Sequence, residues 1–221
     1  QRLTPGTGCY SAWLSPQGRM LTDLHVLESG GMILLDVPAN TLDSTIQRLE
    51  QFIFTEDVRV GSLAESLGSV WLHGPRAAAV LQQVIDGARG LGDWPDYRHS
   101  QFEFGDSPVS IARISQLGVP GFCMYMERGR VPEVLSALND AGAASVPDDA
   151  ITAARIEVAY PVFSVDMTDE TIPLEAGIES RAISFTKGCY VGQEVIIRVL
   201  HRGHGRVRRR LASRRQGHRF C

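Results

Sequence analysis

Residues 20–28 read MLTDLHVLE and residues 32–37 read MILLDV, with Gly30 and Gly31 between them. Apolar and polar side chains alternate along the first run, which is typical of a half-buried strand. A glycine pair between two such runs is typical of a hairpin turn. The preceding run, CYSAWLSP at 9–16, is apolar and aromatic and stops at a Pro-Gln-Gly turn. Together the three runs predict an antiparallel meander over Cys9–Val37.

The middle of the chain mixes predicted strands with predicted helices. The patterns favour strands at 69–73, 109–114, 122–126 and 144–146, helices at 77–85 and 131–141, and a loop over 86–107. The resulting order β-α-β-β-α-β is the split βαβ or ferredoxin-like arrangement. We therefore predict a ferredoxin-like middle domain at 68–147. With further helices expected near 41–54 and 149–159, the chain is predicted to be an α+β protein.

The composition excludes several classes of protein. Of the 221 residues, 43% are hydrophobic and 21% charged, which suits a globular core and not a disordered or collagen-like chain. No run approaches the ~20 apolar residues of a membrane helix, so we expect no membrane association. The four cysteines are far apart and form no CxxC pattern. This favours a reducing compartment, which we interpret as the cytoplasm.

Positive charge is concentrated at the end of the chain. Residues 198–221 hold nine of the 22 Lys and Arg residues and no Asp or Glu. Such a tail could contact nucleic acid or an anionic surface. Its single aromatic residue, Phe220, offers little for base stacking. We favour a solvated or incomplete terminal segment and expect no direct contact with nucleic acid.

The same tail contains residues with a zinc-like spacing, since His201, His204, His218 and Cys221 can be written HxxH…HxxC. It has little apolar content with which to enclose a metal, so we predict no metal site. GxGxxG, Walker, GxSxG and HExxH motifs are absent from the sequence. Nucleotide hydrolysis and serine or zinc hydrolysis therefore have no support.

A candidate reactive thiol lies in KGCYVGQE, residues 187–194. A neighbouring cation or a helix N-terminus favours the thiolate form of a cysteine. Lys187 precedes Cys189 by two residues, and a regular segment is expected from Tyr190 onward. A helix there would place Cys189 at its positive end. The alternative is that Cys189 is a small residue in a glycine-flanked turn, and the residues alone leave both interpretations open.

A second candidate group is ARIE, which contains Arg155 and Glu157. Residues two apart on a helix do not share a face, so these two are not expected to pair. A buried carboxylate needs partners. A planar ring with two adjacent N–H donors, such as a pterin, would satisfy it with two hydrogen bonds. The alternative is a surface acid and a surface base.

These motifs resemble those of a known family. KGCYVGQE, preceded by IPLEAG at 172–177, with SPQGR at 15–19 and RVLHRGHGRV at 198–207, is similar to the YgfZ-type folate-binding proteins, relatives of the glycine-cleavage T-protein. The resemblance implies three parts around a central folate cavity. The first domain would be split between 1–67 and 148–197, around the middle domain at 68–147. A C-terminal β-barrel would begin in 198–221 and be largely missing.

The resemblance also implies roles for individual residues. Glu157 matches the carboxylate that holds the pterin and would form the floor of the cavity. Asp23 matches the second of two paired acids of the T-protein, and Thr22 stands in place of the first. Lys187 and Cys189 would carry the reactivity. The expected contacts to tetrahydrofolate or a derivative are completed by Arg155, Arg19 and Tyr190.

The function implied by the resemblance is folate-dependent assistance in making or repairing iron–sulfur proteins. In bacterial members an indirect effect on tRNA modification is also expected, through an iron–sulfur enzyme. The expected partners are folate and iron–sulfur client or assembly proteins. One cysteine cannot hold a cluster by itself, so Cys189 would supply a single ligand or react as a thiolate. The alternative is a true aminomethyltransferase, which Thr22 puts in doubt.

Overall fold

The computed structural model describes residues 3–202. The strands are β1 (Thr7–Leu14), β2 (Met20–Glu28), β3 (Ile33–Asp36), β4 (Leu67–His73), β5 (His99–Phe104), β6 (Ser107–Arg113) and β7 (Gly121–Glu127). The helices are α1 (Leu42–Glu50), α2 (Ala77–Val84), α3 (Val131–Asp140), α4 (Asp148–Glu157), α5 (Glu179–Ala182) and α6 (Gln193–Arg202).

The strands form two open antiparallel sheets. The first has the order β1-β2-β3 and the second has the order β4-β7-β6-β5. The predicted meander over Cys9–Val37 is confirmed, because all three of its runs pair in sequence order. The α+β class with antiparallel sheets is likewise confirmed.

The predicted element order of the middle segment is wrong at two points. Residues 99–104 form β5, not a loop, and residues 144–146 form no strand. β5 is an edge strand whose sequence HSQFEF is mostly polar, so its alternation is weak. Residues 144–146 precede Pro147, and Val146 is exposed. The observed order is β-α-β-β-β-α, and the sheet contains antiparallel pairs only.

The strand β7 is buried on both faces. Phe122, Met124 and Met126 alternate toward a core shared with α2 and α3. Cys123 and Tyr125 point the other way, into a smaller core that the second sheet shares with Leu27 and Leu34 of the first. Because successive side chains of a strand point to opposite faces, β7 contacts α2 and α3 on one face and the first sheet on the other.

A third core joins the first sheet to the chain beyond residue 160. Tyr10 and Met20 of the sheet pack there with Leu174, Ile178 and Ile196. Residues 198–202 form the end of α6. The rest of the segment predicted to start a barrel lies outside the described residues. The division into domains at 67, 147 and 197 stays a prediction.

Candidate functional site

A buried carboxylate lies on the first sheet. In the register of β1 and β2, Tyr10 is opposite His25 and Ala12 is opposite Asp23, which places Tyr10, Asp23 and His25 on one face. The Tyr10 hydroxyl donates to Asp23 Oδ2 at 2.8 Å, and Asp23 is 8% exposed. Burial raises the pKa of Asp23, while the Tyr10 hydrogen bond and one from the Phe163 backbone oppose the rise. A perturbed, enclosed carboxyl group of this kind is a candidate for function.

His25 joins this face to the second sheet. Its Nδ1 lies 2.8 Å from the Tyr97 hydroxyl, and its Nε2 lies 3.1 Å from the amide nitrogen of Gln116. Because an amide nitrogen only donates, Nε2 accepts and the ring proton is on Nδ1. Burial lowers the pKa of His25 to about 4, and the Asp23 charge opposes this only in part. The imidazole is therefore neutral at physiological pH.

Arg181 covers the same group from α5. Its guanidinium carbon lies 4.0 Å from the ring centroid of Tyr160 and 4.9 Å from that of Tyr10, so it sits against two aromatic faces. Burial raises the pKa of Tyr160, and the Arg181 charge opposes this rise. We refer to the residues of this group as the polar cluster. Its members are Tyr10, Asp23, His25, Tyr97, Gln116, Tyr160 and Arg181.

Strained backbone collects around the polar cluster. Within residues 3–202, three residues other than glycine have positive φ, namely Tyr97 at 67°, Ala159 at 53° and Ser164 at 68°. Tyr97 belongs to the cluster, and the other two lie within four residues of Tyr160. Such conformations cost on the order of 1–3 kcal/mol each and concentrate at binding and catalytic sites. The strain therefore points to the same place as the buried polar groups.

Thr22 lies on the opposite face of β2 from Asp23. Its hydroxyl is 2.9 Å from that of Thr41, just before α1, and Thr22 is 1% exposed. A carboxylate at position 22 would therefore point toward α1 and away from the polar cluster. Compared with an acid at position 22, Thr22 therefore leaves the charges around Asp23 unchanged.

The expectation that Glu157 forms the floor of an enclosed cavity is wrong. The helix α4 contains no buried residue, and Glu157 at its end is exposed. Arg155 points elsewhere, as the spacing predicts. It forms an ion pair with Asp166 and donates to the Tyr160 carbonyl. The enclosed carboxylate of this region is Asp23, on a strand of the first sheet.

Arg19 also lies outside the polar cluster. It forms an ion pair with Glu170, and the two side chains are 47% and 72% exposed. Exposed pairs of this kind contribute little to stability. Arg19 is thus available to a ligand at the surface but does not line the buried site.

The KGCYVGQE segment is mostly exposed. Lys187 and Cys189 face solvent, and Lys187 Nζ lies 4.8 Å from the ring centroid of Tyr190. The Tyr190 hydroxyl is buried, with no hydrogen-bond partner among the described residues. The regular segment expected from Tyr190 onward begins later, because Gly192 has a φ of 82° and α6 starts at Gln193. Cys189 therefore precedes the helix and is not in its first turn.

The SPQGR turn and the KGCYVGQE segment touch each other. A Cβ added to Gly192 would lie 2.7 Å from the Ser15 carbonyl oxygen and 2.9 Å from the Cα of Gly18. Gly18 also has positive φ, at 72°. Only glycine allows two turns to approach this closely. Two of the motifs that carry the resemblance, distant in sequence, thus meet in space.

Sequence reasoning singled out Asp23 but missed the rest of the polar cluster. One signal was available, since alternation along β2 places His25 on the same face as Asp23. The partners Tyr97 and Gln116 lie 72 and 91 residues away from His25. Their approach depends on how the two sheets pack, which no local pattern contains.

Two antiparallel sheets with a polar cluster enclosed between them define an α+β domain, and comparison with known proteins assigns its family. The GCVT N-terminal domain family matches residues 1–187, so the chain belongs to that family. It is 29% identical over 204 residues to a putative chloroplastic transferase of Arabidopsis thaliana, covering 90% of this chain and 46% of that one. It is 28% identical over 201 residues to the aminomethyltransferase of a Synechocystis strain, covering 88% and 53%.

A solved structure shares the fold. The aminomethyltransferase T of the glycine cleavage system from Bartonella henselae superimposes with a TM-score of 0.76 at 24% identity, covering 90% of this chain and 54% of that one. The chain thus spans about half the length of the curated relatives it matches. The T-protein-like fold inferred from the motifs is confirmed.

Two further structural findings concern residues 3–202. No helix there is long and apolar enough to cross a membrane. No group of three or more His, Cys, Asp and Glu side chains there is arranged to hold a metal ion.

Proposed function

We propose that the chain binds tetrahydrofolate or a derivative, with the pteridine ring at Asp23. The observation that carries this proposal is the enclosed Asp23 carboxylate among the aromatic rings and Arg181 of the polar cluster. A carboxylate can accept hydrogen bonds from adjacent ring N–H groups, and flanking aromatic faces stack on a planar heterocycle. The carboxylate acceptor and the aromatic faces present therefore fit a pterin. Bound tetrahydrofolate supplies a carrier for one-carbon units.

A ligand that reaches Asp23 must displace a side chain that covers it. Tyr10 is 5% exposed and Asp23 is 8% exposed, so neither is open to solvent here. Arg181 covers the cluster through cation–π contacts. Among residues 3–202, no ion pair of Arg181 is found that would hold it in place. We propose that Arg181 moves when folate binds. At the surface, the remaining contacts are proposed for Glu157, Arg155, Arg19 and Tyr190.

The test is a calorimetric titration with (6S)-5-formyltetrahydrofolate. Asp23→Asn is expected to weaken binding by about tenfold or more, because a charged acceptor is lost. Asp36→Asn is the matched control. Asp36 is another enclosed carboxylate, and it accepts a hydrogen bond from Tyr125 at 2.8 Å. Equal affinities for wild type and Asp23→Asn would reject the assigned site.

We further propose that the chain assists the assembly or repair of iron–sulfur proteins through Cys189 and Lys187. The exposed thiol can offer one thiolate ligand to an iron atom of a client cluster. Lys187, two residues before it, is exposed as well and can contact a client protein. Phe185 and Val191 beside it are 51% and 53% exposed, which provides apolar surface for a client protein. An effect on tRNA modification would follow indirectly, through a client enzyme.

Complementation tests this role. In cells that lack the gene, Cys189→Ala should fail to restore the activity of iron–sulfur enzymes while the protein remains folded. Cys9→Ala is the matched control, because Cys9 is partly buried and its pKa is raised by that burial. Full rescue by Cys189→Ala would contradict the proposed role.

A second candidate function is aminomethyl transfer. Its support is that Thr22 contacts Thr41 on the opposite face of β2 from Asp23, so an acid at position 22 would lie outside the polar cluster. Ammonia release from an aminomethylated lipoyl carrier, measured with tetrahydrofolate present, separates the two functions. Turnover that depends on Asp23 would establish the transferase. Absence of turnover in a protein that binds folate would favour the accessory role.

A further inference from the structure

We propose that His25 is a positioning residue for the folate site, which it organises by holding Tyr97 and Gln116, from the loops beside the second sheet, against the strand of Asp23. This inference rests on the proposed folate binding. It goes beyond that proposal because no motif that carries the resemblance contains His25, Tyr97 or Gln116.

The hydrogen bonds of His25 admit one arrangement. The Gln116 amide nitrogen, 3.1 Å away, donates to Nε2, so the ring proton on Nδ1 is donated to the Tyr97 hydroxyl at 2.8 Å. Each ring nitrogen thus has one partner, and both partners belong to the second sheet or the loops beside it. The His25 imidazole therefore fixes the orientation of two side chains that come from outside its own sheet.

Gln116 transmits this orientation to the ligand side of the cluster. Gln116 opposes the rise in the pKa of Tyr160 through its side-chain amide, and Arg181 packs on the Tyr160 ring. An amide group has two N–H donors. One is directed to His25, which leaves the other for Tyr160. Loss of the His25 acceptor frees the amide to rotate, which would release Tyr160 and with it Arg181.

The aromatic contacts of His25 hold the ring itself in place. Its centroid lies 5.6 Å from that of Tyr10, 6.0 Å from Trp71 and 5.8 Å from Tyr97. An apolar ring could fill this space without the cost of enclosing an imidazole. Tyr97 in addition has a φ of 67°, and its hydroxyl accepts a hydrogen bond from His25 Nδ1. A buried imidazole and a strained partner are poor choices for packing alone, but they suit a residue that orients polar groups.

The test compares three substitutions at position 25 by titration with (6S)-5-formyltetrahydrofolate. Gln reaches as far as Nε2 and can accept from Gln116, Asn reaches only as far as Nδ1 and can donate to Tyr97, and Phe keeps the ring alone. His25→Phe and His25→Asn are expected to lose about tenfold in affinity, the equivalent of one hydrogen bond, and His25→Gln to recover most of it. His73→Phe is the control, since His73 stacks on Trp71 but its Nδ1 has no hydrogen-bond partner among the described residues.

A purely structural role predicts a different outcome, in which affinity follows the unfolding free energy of each variant and Gln rescues no better than Asn. That result, or unchanged affinity in His25→Phe, would overturn the positioning role and leave folate binding intact. Failure of the wild-type protein to bind would overturn both proposals. Independently of folate, nitrogen NMR of His25 should show a protonated Nδ1 and a bare Nε2, and the opposite tautomer would contradict the arrangement.

Discussion

Two tyrosine–carboxylate pairs in this protein have the same geometry but different surroundings. The Tyr10 hydroxyl donates to Asp23, and the Tyr125 hydroxyl donates to Asp36, each at 2.8 Å. Tyr125 is on β7 and Asp36 is on β3, so their hydrogen bond ties the two sheets together. Tyr10 and Asp23 lie on neighbouring strands that the ladder of β1 and β2 already joins. The Tyr10–Asp23 hydrogen bond therefore encloses a carboxylate but adds no link between separate parts of the fold.

The difference separates a structural role from a functional one. Burial raises the pKa of both carboxyl groups, so both cost free energy at neutral pH. At Asp36 the cost is offset by a contact between sheets within an apolar core. At Asp23 it is accompanied by a neutral imidazole, a stacked guanidinium and strained backbone. We interpret the Tyr125–Asp36 pair as a structural contact between the sheets and the Tyr10–Asp23 pair as part of a binding site.

The largest expected effect concerns His25, which lies on the same face of β2 as Asp23. The pKa of His25 falls from 6.5 to about 4 on folding because the ring is buried. The unfolded chain then binds the proton more tightly, so stability is lost as pH falls from about 6.5 to 4, by about 3 kcal/mol. The raised pKa of Asp23 and of Asp36 acts in the opposite direction, in the acid part of the range. Urea unfolding across this range should show the loss in wild type and not in His25→Phe.

Removing each tyrosine hydroxyl would sharpen the comparison. Tyr125→Phe should lower the unfolding free energy by about 3 kcal/mol, since Tyr125 is the donor identified for the enclosed Asp36 carboxylate. Tyr10→Phe should cost about 1.5 kcal/mol, because the Phe163 backbone still donates to Asp23. Denaturant titration of both variants provides the measurement. A larger loss for Tyr10→Phe would contradict the assignment of structural and functional pairs.

A double-mutant cycle would test whether the KGCYVGQE segment is coupled to one pair only. Gly192→Ala should cost about 1–2 kcal/mol, because an Ala there adopts positive φ and meets the Ser15 carbonyl. Gly188→Ala, which meets no atom within 4 Å, should be neutral. The effect of Gly192→Ala should be non-additive with Tyr10→Phe by about 0.5 kcal/mol and additive with Tyr125→Phe, because only Tyr10 shares a core with this segment. Additivity with both would break the comparison.

The smallest expected effect is that of Cys189→Ala, within about 0.5 kcal/mol in stability because the side chain is exposed. Among the three cysteines of residues 3–202, alkylation of the native protein, followed by mass spectrometry, should modify Cys189 first, Cys9 more slowly and Cys123 last. Burial raises the pKa of Cys9 and, more strongly, that of Cys123. Early modification of Cys123 would contradict this packing.

Local pattern predicted much of the fold, and it did so where one face of an element is buried. The alternation in 20–28 and the apolar run in 32–37, separated by Gly30 and Gly31, are enough to predict β2 and β3. The edge strand β5 was missed because four of its six residues are polar and only one edge of the strand is paired. The motif KGCYVGQE located an exposed segment, but the start of α6 depended on the φ of Gly192.

The site was predicted only in part because it is assembled from distant segments. Asp23 was found through its place in a motif. His25, two residues on, carries no motif, and its partners are defined by the contact between two sheets. Glu157 is the opposite case. Its motif predicted a role in holding the ligand, but its side chain is exposed and not enclosed. The solvent exposure of a side chain depends on what packs over it, which spacing along a helix does not specify.

The position of β7 affects how the chain matures on the ribosome. The first sheet is complete once Asp36 has been made, yet the strand that covers its apolar face begins at Gly121. At 5–20 residues per second, synthesis leaves that face uncovered for on the order of ten seconds. During this interval the nascent hairpin is open to chaperones and to association with other nascent chains. Slowing translation between these strands should therefore lower the soluble yield more than slowing it after β7.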